Sequence, residues 1–171
     1  DAPQLRIARK RDQHGGMIAA ETVLEQPLPL LQARDGKKIA YVYKKNRTDR
    51  SEIEELYVMD ANGTNRKKLT TYPANDPMAK EPGYKVGPPH WNAKHKFISY
   101  QSEQGGKSSI YAVTPDGRKQ WKLTENLHAE GWHDWSSDGN WLAFDARDAA
   151  SGRYDIFLMN YSTKEVKKLT G

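Results

Sequence analysis

The stretch from Gly131 to Thr170, GWHDWSSDGNWLAFDARDAASGRYDIFLMNYSTKEVKKLT, limits the possible folds more than any other part of the chain. It reads as a tryptophan-anchored strand, a tight Asp-Gly turn, an apolar strand and a glycine-containing loop. A second apolar strand, a polar turn and a short Leu-Thr ending follow. Short strands that reverse at each turn make one twisted antiparallel sheet. Such a sheet cannot cover both of its apolar faces alone, so it needs a neighbour on each side.

Weaker copies of the same order occur upstream. In residues 27–70 an opening strand runs from Pro27 to Gln32, and Asp35-Gly36 marks a turn. Lys38 to Tyr43 and Leu56 to Asp60 are the next strands, Ala61-Asn62-Gly63-Thr64 is a hairpin turn, and Arg66 to Thr70 closes the unit. In residues 71–124 the corresponding pieces are His90-Trp91, Phe97 to Tyr100, Ile110 to Thr114 and Trp121 to Thr124, with Lys94-His95 where the other copies have Asp-Gly. This copy carries a proline-rich insertion over 71–89. Proline at that density opposes a central strand or a helix, so the insertion is expected to be an ordered or lid-like loop. Residues 125–171 are the third and most complete copy. Residues 1–26 are read as the outer hairpin of a leading partial unit or an N-terminal arm, turning at His14-Gly15-Gly16, with a helix from Met17 to Leu24 as the alternative.

Four strands per unit, repeating at roughly 40–45 residues, are the signature of a β-propeller blade. The fold class is therefore all-β, built of blades of four antiparallel strands. Trp91, Trp135 and Trp141 are expected in the core between blades, and Asp60, Asp116 and Asp138 as turn formers whose carboxylates bond local backbone.

The run Trp135-Ser136-Ser137-Asp138-Gly139-Asn140-Trp141-Leu142-Ala143-Phe144 resembles the PD40 repeat of TolB-type β-propellers. So do Leu56-Tyr57-Val58-Met59-Asp60-Ala61-Asn62-Gly63 and the Leu-Thr pairs ending at Thr70, Thr124 and Thr170. The resemblance covers about residues 27–171. The first copy departs from it with Gln32 in place of the tryptophan, and the second lacks the Asp-Gly turn. The resemblance implies a non-enzymatic module for protein–protein interaction or assembly, in a bacterial periplasmic or secreted setting. Closed propellers have at least about four blades. Three copies make an incomplete ring, so the chain is expected to be a piece of a longer propeller, a processed product, or a subunit that completes its sheets against a second chain.

The totals exclude little and add little. A chain of 171 residues with 27 Lys+Arg against 22 Asp+Glu carries a formal charge of +5. The one dense basic cluster, Arg6, Arg9, Lys10 and Arg11, comes with no recognition helix or RNA-binding motif, so no nucleic-acid partner is expected. There is no cysteine, hence no disulfide and no thiolate metal site. No apolar run approaches the roughly 20 residues of a membrane span. DAPQLRIARKR lacks the apolar core of a signal peptide, which fits an exported protein that has lost its leader.

The chemistry-bearing residues are few. His90, His128 and His133 lie at or just before the tryptophan strand of their copies. Opening strands line the channel of a propeller, so these imidazoles could converge at one mouth, with Asp134 as a possible oxygen ligand. Some polysaccharide lyases with propeller folds resemble this in using channel histidines, which makes a glycan-binding or lyase-like propeller one alternative. No spacing matches a recognised metal motif, so neither a metal nor another cofactor is expected. The propeller portion of a prolyl-oligopeptidase-type peptidase is the other alternative, but no Gly-x-Ser-x-Gly elbow is present. For contact with a partner the candidates are Tyr84, in the insertion, with His90, His128, Trp132 and His133. Tyr84 and Trp132 stand outside the expected packing positions, where an aromatic ring can stack on a sugar or anchor a protein.

Overall fold

The computed structural model describes residues 28–32, 36–44, 53–72, 84–104, 107–124, 130–148 and 150–170. Among them the chain is all-β. The first sheet contains β1 (Leu28–Gln32), β2 (Lys38–Tyr43), β3 (Glu55–Asp60) and β4 (Lys67–Lys68). The second contains β5 (Lys85–Asn92), β6 (Phe97–Gln104), β7 (Lys107–Val113) and β8 (Gln120–Lys122). The third contains β9 (His133–Trp135), β10 (Trp141–Arg147), β11 (Tyr154–Asn160) and β12 (Val166–Lys168). Each sheet is an antiparallel meander in chain order, the blade expected from the sequence. β5 touches both β1 and β9, as the innermost strands of neighbouring blades must. The ring is not closed by the described residues. The expected hairpin in residues 1–26, and its helical alternative, lie outside them.

The alternation of β6 explains how the sheets stack. Ile98 and Tyr100 point to the first sheet and join Ala40, Val42, Leu56, Val58 and Leu69 in one buried cluster. Phe97, one residue out of phase, points the other way and joins Ile110, Ala112, Leu142, Phe144 and Met159 in a second cluster. The middle sheet is thus buried on both faces. Each large apolar side chain so buried contributes about 1.5–3 kcal/mol.

The Leu-Thr endings act as clasps. Leu69, Leu123 and Leu169 donate their amides to the carbonyls of Leu56, Ile110 and Ile156, which extends each fourth strand. The next residue returns a bond: the hydroxyls of Thr70, Thr124 and Thr170 accept the amides of Leu56, Ile110 and Ile156 at 3.1, 3.3 and 2.9 Å. A short polar residue after a leucine therefore satisfies the start of the third strand.

The Asp-Gly turn has an equally local cause. Gly139 has φ +71°, and a Cβ there would come within 2.8 Å of Asn92 Oδ1. Asp138 accepts the Ser136 hydroxyl at 2.5 Å and the Asn140 amide at 3.0 Å, and these bonds hold its carboxyl at about 2. The second copy turns without Asp-Gly because Lys96 takes the left-handed conformation (φ 57°) and Asn92 Oδ1 accepts the His95 amide.

Two expectations need correction. The insertion is not loop throughout: residues 85–89 belong to β5, although they include Pro88 and Pro89. β5 is an edge strand of its sheet, and its pairing with β6 shifts register between Val86 and Pro89, which accommodates residues that cannot donate. Trp141 is not packed between the described blades. It lies on the far face of the third sheet and is 39% exposed, whereas Trp91 and Trp135 pack against the two clusters as expected.

The candidate site at the inner lip of the second and third sheets

β5 and β9 run side by side, and each brings one histidine to the seam between them. The His90 and His133 rings lie 4.6 Å apart, tilted by 57°. Ser99, on β6 opposite His90, forms the floor. Its hydroxyl lies 2.9 Å from His133 Nε2, accepts the Trp135 indole N–H at 2.8 Å, and sits 3.3 Å from the His90 carbonyl. Period-2 alternation builds this group: His133 and Trp135 face the second sheet because the residue between them, Asp134, is on the other side.

Electrostatics make the two imidazoles different. Burial, together with the neighbouring His90, pushes His133 down to about 3, so it is neutral and sealed. Burial also lowers His90, but Asp134 opposes the shift: its Oδ1 lies 3.3 Å from His90 Nδ1 on an exposed side chain. His133 is therefore a structural bridge to Ser99, while His90 and Asp134 form a more exposed polar pair. Among the described residues no group of three or more histidine, aspartate or glutamate side chains is gathered as for a metal ion.

Trp132 stands at the outer end of this lip and is 70% exposed. Its carbonyl accepts the Asp145 amide at 3.0 Å, and the Gly131 amide donates to the Asp145 carbonyl at 2.9 Å. A Cβ on Gly131 would fall 2.2 Å from Asp145 Oδ1, so any larger residue there would have to push the Asp145 carboxylate aside. Gly87 stands in the same relation to Gln101 in the second sheet, where a Cβ would fall 2.7 Å from Gln101 Oε1.

Of the five candidate contact residues, the structure brings His90, Trp132 and His133 to one lip. His128 lies outside the described residues. Tyr84 was expected at the surface and is instead core: it is buried, its ring stacks 4.1 Å from Tyr72, and its carbonyl accepts the Glu54 amide. A tyrosine so enclosed has no face to offer a partner.

Glu130 was missed altogether. It is fully buried, its Oε2 accepts the Ile110 amide at 3.1 Å and the Thr124 hydroxyl, and burial raises its carboxyl. Its carbonyl accepts the Gln101 side-chain amide at 3.0 Å and the Ser108 hydroxyl at 2.6 Å. It latches the approach to the third sheet onto the second. Nothing in the sequence distinguishes it from a surface glutamate.

Three stacked meanders with a shared inner edge define a β-propeller, and the comparisons make its type specific. No family model matches the chain. The chain is 28% identical over 134 residues to the Tol-Pal system protein TolB of Francisella tularensis subsp. mediasiatica, an alignment covering 78% of this chain and 29% of that protein. The crystal structure of TolB from Acinetobacter baumannii superposes with a TM-score of 0.58 at 25% identity, over 80% of this chain and 31% of that one. An oligogalacturonate lyase, solved in complex with manganese, shares the fold alone: TM-score 0.60 and 16% identity, over 84% of this chain and 36% of the lyase. The repeats are those of a TolB-type β-propeller, and the chain spans under a third of the length of these two TolB proteins.

Proposed function

We propose that these blades form a non-enzymatic protein-binding module that works in an assembly at the bacterial envelope, on the periplasmic side. The observation that carries this is Trp132, a large exposed indole held by backbone bonds to Asp145 just before the inner strand β9, two residues from the Asp134 carboxylate that pairs with His90. An aromatic anchor flanked by polar groups is the composition of a binding hot spot. The similarity to TolB, whose name places it in the Tol-Pal system, supports an assembly role. Among the described residues no helix is long and apolar enough to cross a membrane.

The test is capture from envelope extracts. A photo-crosslinking residue at position 132 is expected to trap one discrete protein, and Trp132→Ala is expected to abolish co-purification while leaving the melting curve unchanged. Retention of the same partner by Trp132→Ala sinks this reading. A deletion over 73–83 asks whether the insertion contributes, while sparing the buried Tyr72 and Tyr84 pair. Cleavage of an acidic polysaccharide by the purified chain, lost in His90→Ala, would favour the lyase alternative.

A further inference from the structure

In each sheet the turn from first to second strand and the turn from third to fourth lie at the same end, because the strands reverse in chain order. Backbone bonds tie the two turns of a sheet together. The Ala61 amide donates to the Lys37 carbonyl at 2.8 Å, and the Tyr161 amide to the Asn140 carbonyl at 2.9 Å. Side chains tie the turns of neighbouring sheets. Lys67 Nζ, at the start of β4, donates to the Asp116 carbonyl, Lys94 Nζ to Asn140 Oδ1, and Asn92 Nδ2 to the Gly139 carbonyl at 3.0 Å. The His95 and Tyr161 rings lie 4.3 Å apart. The turns of all three sheets therefore make one continuous face. Trp132 is at the other end, since it precedes β9 and the turn follows it.

That face is basic. Its described turn residues, 36–37, 61–66, 93–96, 114–119, 136–140 and 161–165, hold seven exposed cations against three exposed carboxylates. Lys37 and Arg66 come from the first sheet, Lys94, Lys96, Arg118 and Lys119 from the second, and Lys164 from the third. Two of the carboxylates are engaged within their own turns. Asp116 accepts the Thr114 hydroxyl at 2.6 Å and the Arg118 amide at 3.1 Å, and Asp138 is bonded in the same way. The positive field is felt inside the face: burial first, then Lys94 and Lys164, hold His95 below its ordinary value.

The chemistry of the face selects its partner. A protein interface or a single-stranded nucleic acid needs exposed apolar or aromatic anchors. No exposed large apolar side chain falls within these turns; the nearest, Trp141 and Val166, begin β10 and β12. Reading a duplex needs a helix or ribbon that enters a groove, and among the described residues no helix is present. Five of the seven cations are lysine, a hydrated point charge suited to a diffuse layer of anions rather than to bidentate recognition. We infer that the turn face lies against a bilayer of anionic phospholipid, with the Trp132 lip directed away from it. This takes from the reading above only the envelope setting, and it uses a different surface.

The test is co-sedimentation of the full-length protein with vesicles of equal parts phosphatidylglycerol and phosphatidylcholine, against vesicles of phosphatidylcholine alone. Wild type is expected to bind the anionic vesicles only, and to be released as salt approaches about 1 M. Each basic residue near such a surface is worth about a fivefold change, so Lys96→Glu with Lys119→Glu is expected to weaken binding by at least about tenfold. Lys107→Glu with Arg153→Glu makes the same change of net charge at the other end, on exposed residues, and is expected to bind as wild type does. Unchanged melting of both double variants shows that the fold is intact. Trp132→Ala is expected to keep vesicle binding, so the protein-binding reading and this one fail separately. Equal losses in the two double variants overturn the inference, since net charge alone would then account for binding. So does binding to phosphatidylcholine alone, and so does a wild type that ignores anionic vesicles at low salt or prefers a nucleic acid to them.

Discussion

The two seams between sheets are built differently. The first, between the first and second sheets, has a dry apolar body of Ala40, Val42, Leu56, Val58, Val86, Ile98 and Val113, and is bridged beside it at Glu54, whose Oε2 accepts the Val86 amide and whose amide donates to the Tyr84 carbonyl. The second has a comparable apolar body, from Phe97 and Ile110 to Phe144 and Met159, but its inner end carries buried polar groups. Ser99, His133, Trp135 and Glu130 bond to one another or to backbone across it. The difference follows from one strand. Val42, in β2, corresponds to Gln101 in β6, and Ala40 to Ser99, so the repeat keeps its register while exchanging methyl groups for hydrogen-bonding ones. A dry seam tolerates any partner of the right shape. A seam with paired donors and acceptors holds only when every pair is made.

The largest expected effect lies in the apolar body both seams share. Phe97→Ala removes the ring that meets Trp121, Trp135 and Tyr161 edge-on or tilted, and it is expected to cost about 3–5 kcal/mol in urea unfolding. Leu56→Ala in the dry seam is expected to cost about 2–5 kcal/mol. If Phe97→Ala costs well under 2 kcal/mol, the second seam is held by its polar end and the comparison is wrong.

Acid should separate the seams next. His133 is held at about 3 in the fold and returns to its ordinary value near 6.5 when unfolded. Between these values the unfolded chain binds the extra proton, so stability is complete above about 6.5 and falls as pH drops through the window. The slope is at most about 1.4 kcal/mol per pH unit. The raised carboxyl of Glu130 has the opposite sign: it favours the fold at pH below its unfolded value and loses that contribution as pH rises through its folded value. Urea midpoints from pH 4 to 7 should therefore rise for wild type and flatten for His133→Gln. An equal rise in both would place the acid sensitivity elsewhere.

Ser99→Ala ranks third. It leaves His133 Nε2 and the Trp135 indole N–H without their shared partner, at a cost of about 1–3 kcal/mol. The equivalent residue in the first sheet is already alanine, Ala40, so size alone does not forbid the change. A cost near zero would mean that the polar end contributes nothing to the seam.

Much of this architecture was legible because the signals are local. Asp138-Gly139, the alternation in β6 and the Leu-Thr endings each specify their own turn, face or clasp within a few residues. Trp141 was misread because burial of that position depends on a sheet beyond it, which no local pattern reports. Pro88 and Pro89 were misread because the cost of proline depends on ladder position, and a run of residues does not say that it forms an edge. Of the site, the proximity of His90 and His133 followed from the shared register of two copies. Glu130 and Tyr84 did not, since a latch and a core tyrosine acquire their roles only from residues far along the chain.

The smallest effect is the sharpest probe of the dry seam. The Tyr100 hydroxyl is buried there with no hydrogen-bond partner among the described residues, and burial raises it well above the ordinary tyrosine value. Its equivalent in the third sheet is Phe144, which faces the second seam without a hydroxyl. Tyr100→Phe keeps the stacked ring and removes only a desolvated polar atom, so it is expected to be neutral or stabilising by up to about 1 kcal/mol. A loss above that would mean the hydroxyl is satisfied in solution, by water or by residues outside the described set. The first seam would then be no drier than the second, and the contrast between them would rest on His133 and Glu130 alone.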